Sequence, residues 1–291
     1  MKLKKIFYLL LIIFLFSTYF ISYKVNLNNL PKKYLEILEY KYNRKSLDIK
    51  IDFMSIVIKN YKTKKTFWEH NKMKLESNNQ SILYKESEPI VYIYNTHTNE
   101  EYSYKKNNLY NITPTVLTAS YILETELKKL GIESIVETRN VTDTINKRGL
   151  SYNSSYKVSR EFMEDSKLKN SSLVYFIDIH RDSVDGNLTT TNINNISYAK
   201  LMFLLGLENK DYKKNKEVIT TLNNYLERNY QGISRGIYEK KGKGVNGVYN
   251  QDMNSNVMLI EVGGVDNTIE EVSSSIKVVA NMLYDYINSK N

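Results

Sequence analysis

Three histidines and no cysteine leave this chain few ways to hold a metal or make a nucleophile. Two of the histidines stand at the ends of apolar runs. His97 follows "IVYIYNT", with Glu100 three residues later, and His180 closes "LVYFIDI"; a fourth ionisable residue, Glu261, lies inside "VMLIEVGG". Catalytic zinc takes three ligands from His, Asp, Glu or Cys and keeps a fourth position for water. Without cysteine the available set is two imidazoles and a carboxylate: His97 and Glu100, three apart on one turn, with His180 as the third. Glu261, between Leu259 or Ile260 and Val262, has apolar surroundings that raise a carboxyl pKa. A carboxyl tuned in this way suits a general base beside an activated water. Each residue also has a plainer reading, since a histidine at a strand end is more often structural than a ligand. Asp178 could orient a ligand and Arg181 could bind a substrate carboxylate; either could equally be a strand-end ion-pair partner.

The elements that must position these residues are legible from Pro89 onward. "IVYIYN", "ESIVET", "SLVYFIDIH", "ISYAKLMFLLG" and "VMLIEVGG" are each expected as one strand, from their β-branched and aromatic content. Helices are expected over "TPTVLTASYILETELKKLGI", with Thr113 as N-cap, Pro114 at the first position and Gly131 as the stop. Two more are expected over "YKVSREFMEDSKL" and "KNKEVITTLNNYLERNY". A last helix opens at "NTIEEV", where Thr268 and Glu271 form a Ser/Thr-x-x-Glu capping box. Glu270 and Glu271 thereby have a structural role. Alternating strands and helices over roughly 200 residues indicate one α/β domain. If the three strands that carry His97, His180 and Glu261 are parallel neighbours, their side chains meet at one rim, where open α/β sheets collect ligands.

The 291 residues, 42% hydrophobic and 25% charged, are those of a globular protein with a sizeable core. The uncharged run Ile6–Tyr23 after "MKLKK" is long enough to cross a bilayer and lacks a small-x-small cleavage site. An uncleaved signal anchor over residues 1–23 is therefore expected, with the rest of the chain outside the cytoplasm. Residues 1–87 carry 17 Lys/Arg against 7 Asp/Glu, whereas 88–291 carry 24 against 25. The basic excess thus belongs to a juxtamembrane stalk or ancillary region, residues 24–88, and the main domain, 89–291, lacks the footprint of a nucleic-acid binder. His70, beside the single Trp68 in this stalk, reads as a surface or packing residue.

Two motif matches are accidental. "HRDSVDGN" fits a kinase catalytic loop and "GKGVNG" a glycine-rich phosphate loop, but their order is reversed and no D-F-G follows. The preceding "YEKK" gives no strand signal and the following "VYNQD" no helix signal; a flexible loop covering the site is the better expectation.

With these residues assembled, the chain resembles the stage II sporulation protein P family of cell-wall hydrolases. The resemblance rests on "YNTHTNEEY" (94–102), "FIDIHRDS" (176–183) and "VYNQDMNSNVMLIEVGGVDNTIEEV" (248–272), in the family's order, and covers essentially all of 89–291. It implies a zinc amidase-like α/β domain of three layers, with a mostly parallel or mixed central sheet flanked by helices. It also implies a Zn2+-dependent N-acetylmuramoyl-L-alanine amidase that cuts the amide between N-acetylmuramic acid and L-alanine of peptidoglycan, with endopeptidase activity on cross-links also ascribed. Position by position, His97, Glu100 and His180 match the metal ligands and Glu261 the catalytic glutamate. Asn95 departs from the pattern, since many relatives carry His there, and its presence favours His97 as the ligand. Glu101 beside Glu100 is expected to be a bystander. The implied setting is forespore engulfment at the mother-cell membrane facing the septal wall, with stage II sporulation proteins D and M as partners. A retired, wall-binding domain and a zinc endopeptidase or carboxypeptidase are the alternatives.

Overall fold

A computed structural model describes residues 88–103 and 113–290. The expected anchor, the stalk, Trp68 and His70 lie outside the described residues. Among the described residues no helix is long and apolar enough to cross a membrane.

In chain order the elements are strand β1 (Val91–Tyr94), helix α1 (Val116–Lys129), β2 (Ser134–Val136), α2 (Val141–Arg148), α3 (Ser155–Lys169), β3 (Tyr175–Asp182), β4 (Thr190–Ile193), β5 (Ile196–Ala199), β6 (Leu201–Gly206), α4 (Tyr212–Asn229), β7 (Ser234–Lys240), β8 (Val257–Gly264) and α5 (Ile269–Asn288). The main sheet runs β2-β1-β3-β8-β6-β7. β2, β1, β3 and β8 are mutually parallel, β6 is antiparallel to β8, and β7 is parallel to β6. The sheet is therefore mixed, and β1, β3 and β8 are consecutive neighbours.

Their sequences explain this placement. Every residue of β1 is buried, as are the first six of β3 and all of β8 but Glu261. Only a strand covered on both faces can hide so continuous an apolar run. One face packs Tyr92, Tyr94, Phe176 and Val257 against Met163 of α3. α1, α4 and α5 cover the other face, α5 packing on both of its helical neighbours and on β8. The result is three layers, helices on each side of one sheet.

Several local features differ from the sequence expectation. α1 starts at Val116, with Thr115 rather than Thr113 as N-cap; the Thr115 backbone N–H donates to Thr118 Oγ1 at 3.3 Å. The earlier residues are held elsewhere, because the Tyr102 N–H bonds Pro114 O and Glu101 bridges Thr115. Gly131 does end the helix, at φ +80, the left-handed conformation that glycine takes without a Cβ penalty. "ISYAKLMFLLG" is not one strand: β5 pairs with β4 in a separate two-stranded ribbon, and the chain turns at Lys200 into β6. The loop containing "GKGVNG" is anchored beside β6. Glu208 N donates to Gly247 O and Gly242 N to Glu208 Oε1. By register this anchor, beyond Gly206 of β6, lies at the amino end of β8, opposite Glu261.

The α5 capping box is present as expected. Glu271 Oε2 accepts from the Thr268 N–H at 2.9 Å, and the same carboxylate also takes Asn267 Nδ2 and Ser197 Oγ. Gly263 and Gly264 are close-approach positions. Gly263 sits at φ +71 with a would-be Cβ 2.5 Å from Asn267 Oδ1, and a Cβ on Gly264 would collide with the Val184 carbonyl.

Candidate functional site

The order β2-β1-β3 means that the chain leaves β1 in one direction across the sheet and returns to β3 on its other side. Ligands collect at such a reversal, beyond the strands' carboxyl ends. His97 and Glu100 occupy the turn that follows β1, closed by Glu100 N–H donating to His97 O at 3.1 Å. His180 is in β3, and its register partner on β8 is Glu261. Four residues from three strand ends thus meet on the α3 face of the sheet.

Their geometry is specific. The His180 ring is buried, with Nδ1 3.6 Å from Glu100 Oε2 and Nε2 3.0 Å from Asp178 Oδ1. The Nε2 contact is close but off the angle of a good hydrogen bond, so that nitrogen counts as unpartnered. The His97 and His180 rings stand edge to face, centroids 5.1 Å apart. Glu100 Oε2 also accepts the Arg181 backbone N–H at 2.9 Å. Glu261 keeps some exposure as a residue, yet its Oε2 is buried and has no hydrogen-bond partner.

The electrostatics separate the titratable groups. Burial alone would lower His180, but the carboxylates of Asp178 and Glu100 outweigh it and hold its pKa well above the ordinary value. His97 is pushed down to about 4, by burial and then by the neighbouring His180 charge. It is neutral at physiological pH, with a lone pair to give. Burial would raise Glu100; His180 and the Arg181 amide win and lower it. Glu261 is raised to about 7, by burial first and by the carboxylates of Glu100, Asp182 and Asp178, against the opposing pull of His180.

Asp178 is fully buried, lies against His180 and belongs to a wider network. Its Oδ1 accepts the Thr96 N–H at 2.9 Å and its Oδ2 the Thr96 hydroxyl at 2.6 Å. Thr96 Oγ1 lies 2.9 Å from Ser159 Oγ of α3, which in turn accepts from Asn250 Nδ2. Arg181 is half-buried, and its Nε donates to Glu101 O at 2.9 Å. The exposed Glu101 side chain takes no part in the cluster. Asn95 does not face it either: Nδ2 donates to Ile179 O at 2.7 Å, and Oδ1 accepts Ser120 Oγ at 3.0 Å. It clips the end of β1 to β3 and α1.

Sequence reading overlooked the tyrosines. The Tyr152 hydroxyl is 2.7 Å from His97 Nδ1, and Tyr156 stands edge-on to the same ring at 5.7 Å. With 25 tyrosines in the chain, no linear signal singles these two out.

The donor set suits a divalent cation. Two imidazoles and Glu100 converge, and Asp178 and Glu261 are buried around them, so the pocket holds surplus negative charge for a proton or a metal to offset. Among the described residues no group of three His, Asp or Glu side chains is placed to hold a metal ion. His97, Glu100 and His180 have the residue types of a zinc site without its placement.

The family model for stage II sporulation protein P matches residues 20–284. The chain belongs to the stage II sporulation protein P family. Its relative from Bacillus subtilis strain 168, also a stage II sporulation protein P, is 34% identical over 203 residues, 66% of this chain. The chain spans about half the length of that curated relative, 50%. Among solved structures, the N-acetylmuramoyl-L-alanine amidase AmiC2 of Nostoc punctiforme covers 69% of this chain and 98% of its own, at 12% identity and TM-score 0.40. The CwlD amidase from Clostridioides difficile, solved in complex with the GerS lipoprotein, covers 68% and 99%, at 14% identity and TM-score 0.42. At such scores the likeness says nothing of chemistry in this family member.

Proposed function

We propose that this protein is a zinc-dependent peptidoglycan hydrolase of sporulation, cutting the amide between N-acetylmuramic acid and L-alanine of the stem peptide. The observation that carries the reading is the meeting of His97, Glu100 and His180 with the buried, unpartnered carboxyl of Glu261 at the ends of adjacent parallel strands. Membership of the family supports the sporulation setting. In this reading residues 1–23 anchor the chain in the mother-cell membrane and 24–88 carry it toward the septal wall. Residues 89–291 are the catalytic domain, and stage II sporulation proteins D and M are its partners.

Zinc bound by His97, Glu100 and His180 would polarise the scissile carbonyl and acidify water. The chain's own residues do the rest. Asp178 holds the Nε2 side of His180 and leaves Nδ1 turned toward Glu100. Glu261, with a pKa of about 7, exists in both protonation states near neutrality. It can take a proton from the attacking water and return it to the departing amine nitrogen of L-alanine, so that one carboxyl serves both halves of the hydrolysis. Arg181, at the rim beside Glu100, is the candidate for meeting a stem-peptide carboxylate.

Mass spectrometry of peptidoglycan digested by the full chain tests the reading. Free stem peptides carrying an L-alanine amine are expected, and Glu261→Gln should abolish them while metal content is retained. Cut cross-links with the lactyl amide intact would assign an endopeptidase instead. Unaltered sacculi would leave a wall-binding module, and full activity of Glu261→Gln would refute the assigned base.

A further inference from the structure

Each imidazole of the cluster has one nitrogen against a polar side chain. His180 has one nitrogen against a carboxylate, Nε2 on Asp178 at 3.0 Å, and the other turned inward to Glu100. His97 has one nitrogen, Nδ1, 2.7 Å from the Tyr152 hydroxyl. The Tyr152 and His97 rings lie nearly parallel, 12° apart with centroids at 4.9 Å, so the phenol also stacks on the imidazole. His97 is boxed in on its remaining sides by Tyr156 and His180, both edge to face. Among these neighbours only the Tyr152 hydroxyl offers His97 a hydrogen bond.

Tyr152 is placed by its own short element. It opens a single 3-10 turn, Tyr152–Ser154, that leads into α3. The Ser154 N–H bonds Ser151 O at 2.9 Å, and Ser155 Oγ donates to Tyr152 O at 2.6 Å. The backbone is therefore pinned, although the residue is 63% exposed. So exposed a phenol buries little and contributes little to the core; what it does touch is His97.

We infer that Tyr152 is a positioning residue: its oxygen accepts the Nδ1–H of His97 and so fixes the tautomer that leaves the Nε2 lone pair free for a ligand. A histidine that binds a metal through one nitrogen generally donates the other N–H to a support group, and losing that support typically costs about ten- to a hundredfold in metal affinity. This inference rests on the metallohydrolase reading for its consequence, but not for its first measurement.

That measurement is the His97 tautomer in the full chain, metal-free, labelled with 15N-histidine and assigned with a His97→Gln control. Wild-type protein is expected to show His97 protonated on Nδ1, and Tyr152→Phe, which keeps the ring and removes the oxygen, to lose that bias. Cobalt titration is then expected to give an affinity about ten- to a hundredfold weaker in Tyr152→Phe. An unchanged tautomer in the variant overturns the inference, as does cobalt binding that is equal or tighter; tighter binding would mean that the phenol competes for the ligand nitrogen. If wild-type protein binds no metal, the hydrolase reading fails, and the tautomer alone still decides the role of Tyr152.

Discussion

Replacing Glu261 with glutamine should make the protein more stable while removing its chemistry. The carboxyl is buried with Oε2 unpartnered, and its pKa in the folded chain is about 7 against an ordinary 4.5. A group whose folded pKa is raised binds its proton more tightly in the native state. The native state therefore loses ground as pH rises from the unfolded value through the folded one. At about 1.4 kcal/mol per pH unit, ionising Glu261 costs the fold about 3 kcal/mol by pH 8 and almost nothing at pH 4. Glutamine has the same shape and no charge, so Glu261→Gln should unfold at higher urea than wild type at pH 8, by up to about 3 kcal/mol, with the gap closing toward pH 4. Urea unfolding of both proteins in chelator, followed by circular dichroism at several pH values, reads this directly. A gap that does not change with pH would refute the reasoning, as would a variant less stable than wild type at pH 8. A residue kept at such a cost is the signature of a site in which stability yields to function.

Three further outcomes are expected. Asp178→Asn should keep the fold, because an amide can still accept the Thr96 N–H while Thr96 turns its hydroxyl to Ser159; it should lower metal affinity by about ten- to a hundredfold in a cobalt titration. Asn95→Ala strands Ile179 O and should cost about 1–3 kcal/mol in urea unfolding, whereas an unchanged midpoint would show that the clip is dispensable. Gly264→Ala drives a methyl into the Val184 carbonyl beside Thr189 and should lower the melting temperature at every pH, unlike the Glu261 change.

What could be read in advance follows from how each residue is buried. β1, β3 and β8 announce themselves because a two-sided burial leaves no polar alternation, and the ionisable residues at their ends then stand out. The four residues of the cluster were visible for that reason. α2 was not, since only Val141 and Ile145 of its eight residues are buried; its start depends on Asn140, whose side chain takes the Asp143 N–H. β7 escaped notice because "SRGIYEK" is partly exposed throughout and carries a glycine at φ +83. The break at Lys200 is decided by which sheet each half joins, a tertiary choice that no local pattern encodes. Tyr152 and Thr96 act through contacts 55 and 82 residues away in sequence, beyond the reach of any spacing rule.

The register pairing of His180 with Glu261 has a mechanical meaning. The two are opposite one another on adjacent parallel strands, so their separation is the spacing of the sheet itself, about 4.8 Å between backbones. Loops may lengthen, shorten or change sequence without altering that interval. His97 and Glu100, past the last residue of β1, have no such gauge; a turn and its tethers to Asp178, Arg181, Thr115 and Val116 hold them. The site therefore has two kinds of ruler: the sheet sets one pair of residues, and hydrogen bonds from the turn to β3 set the other.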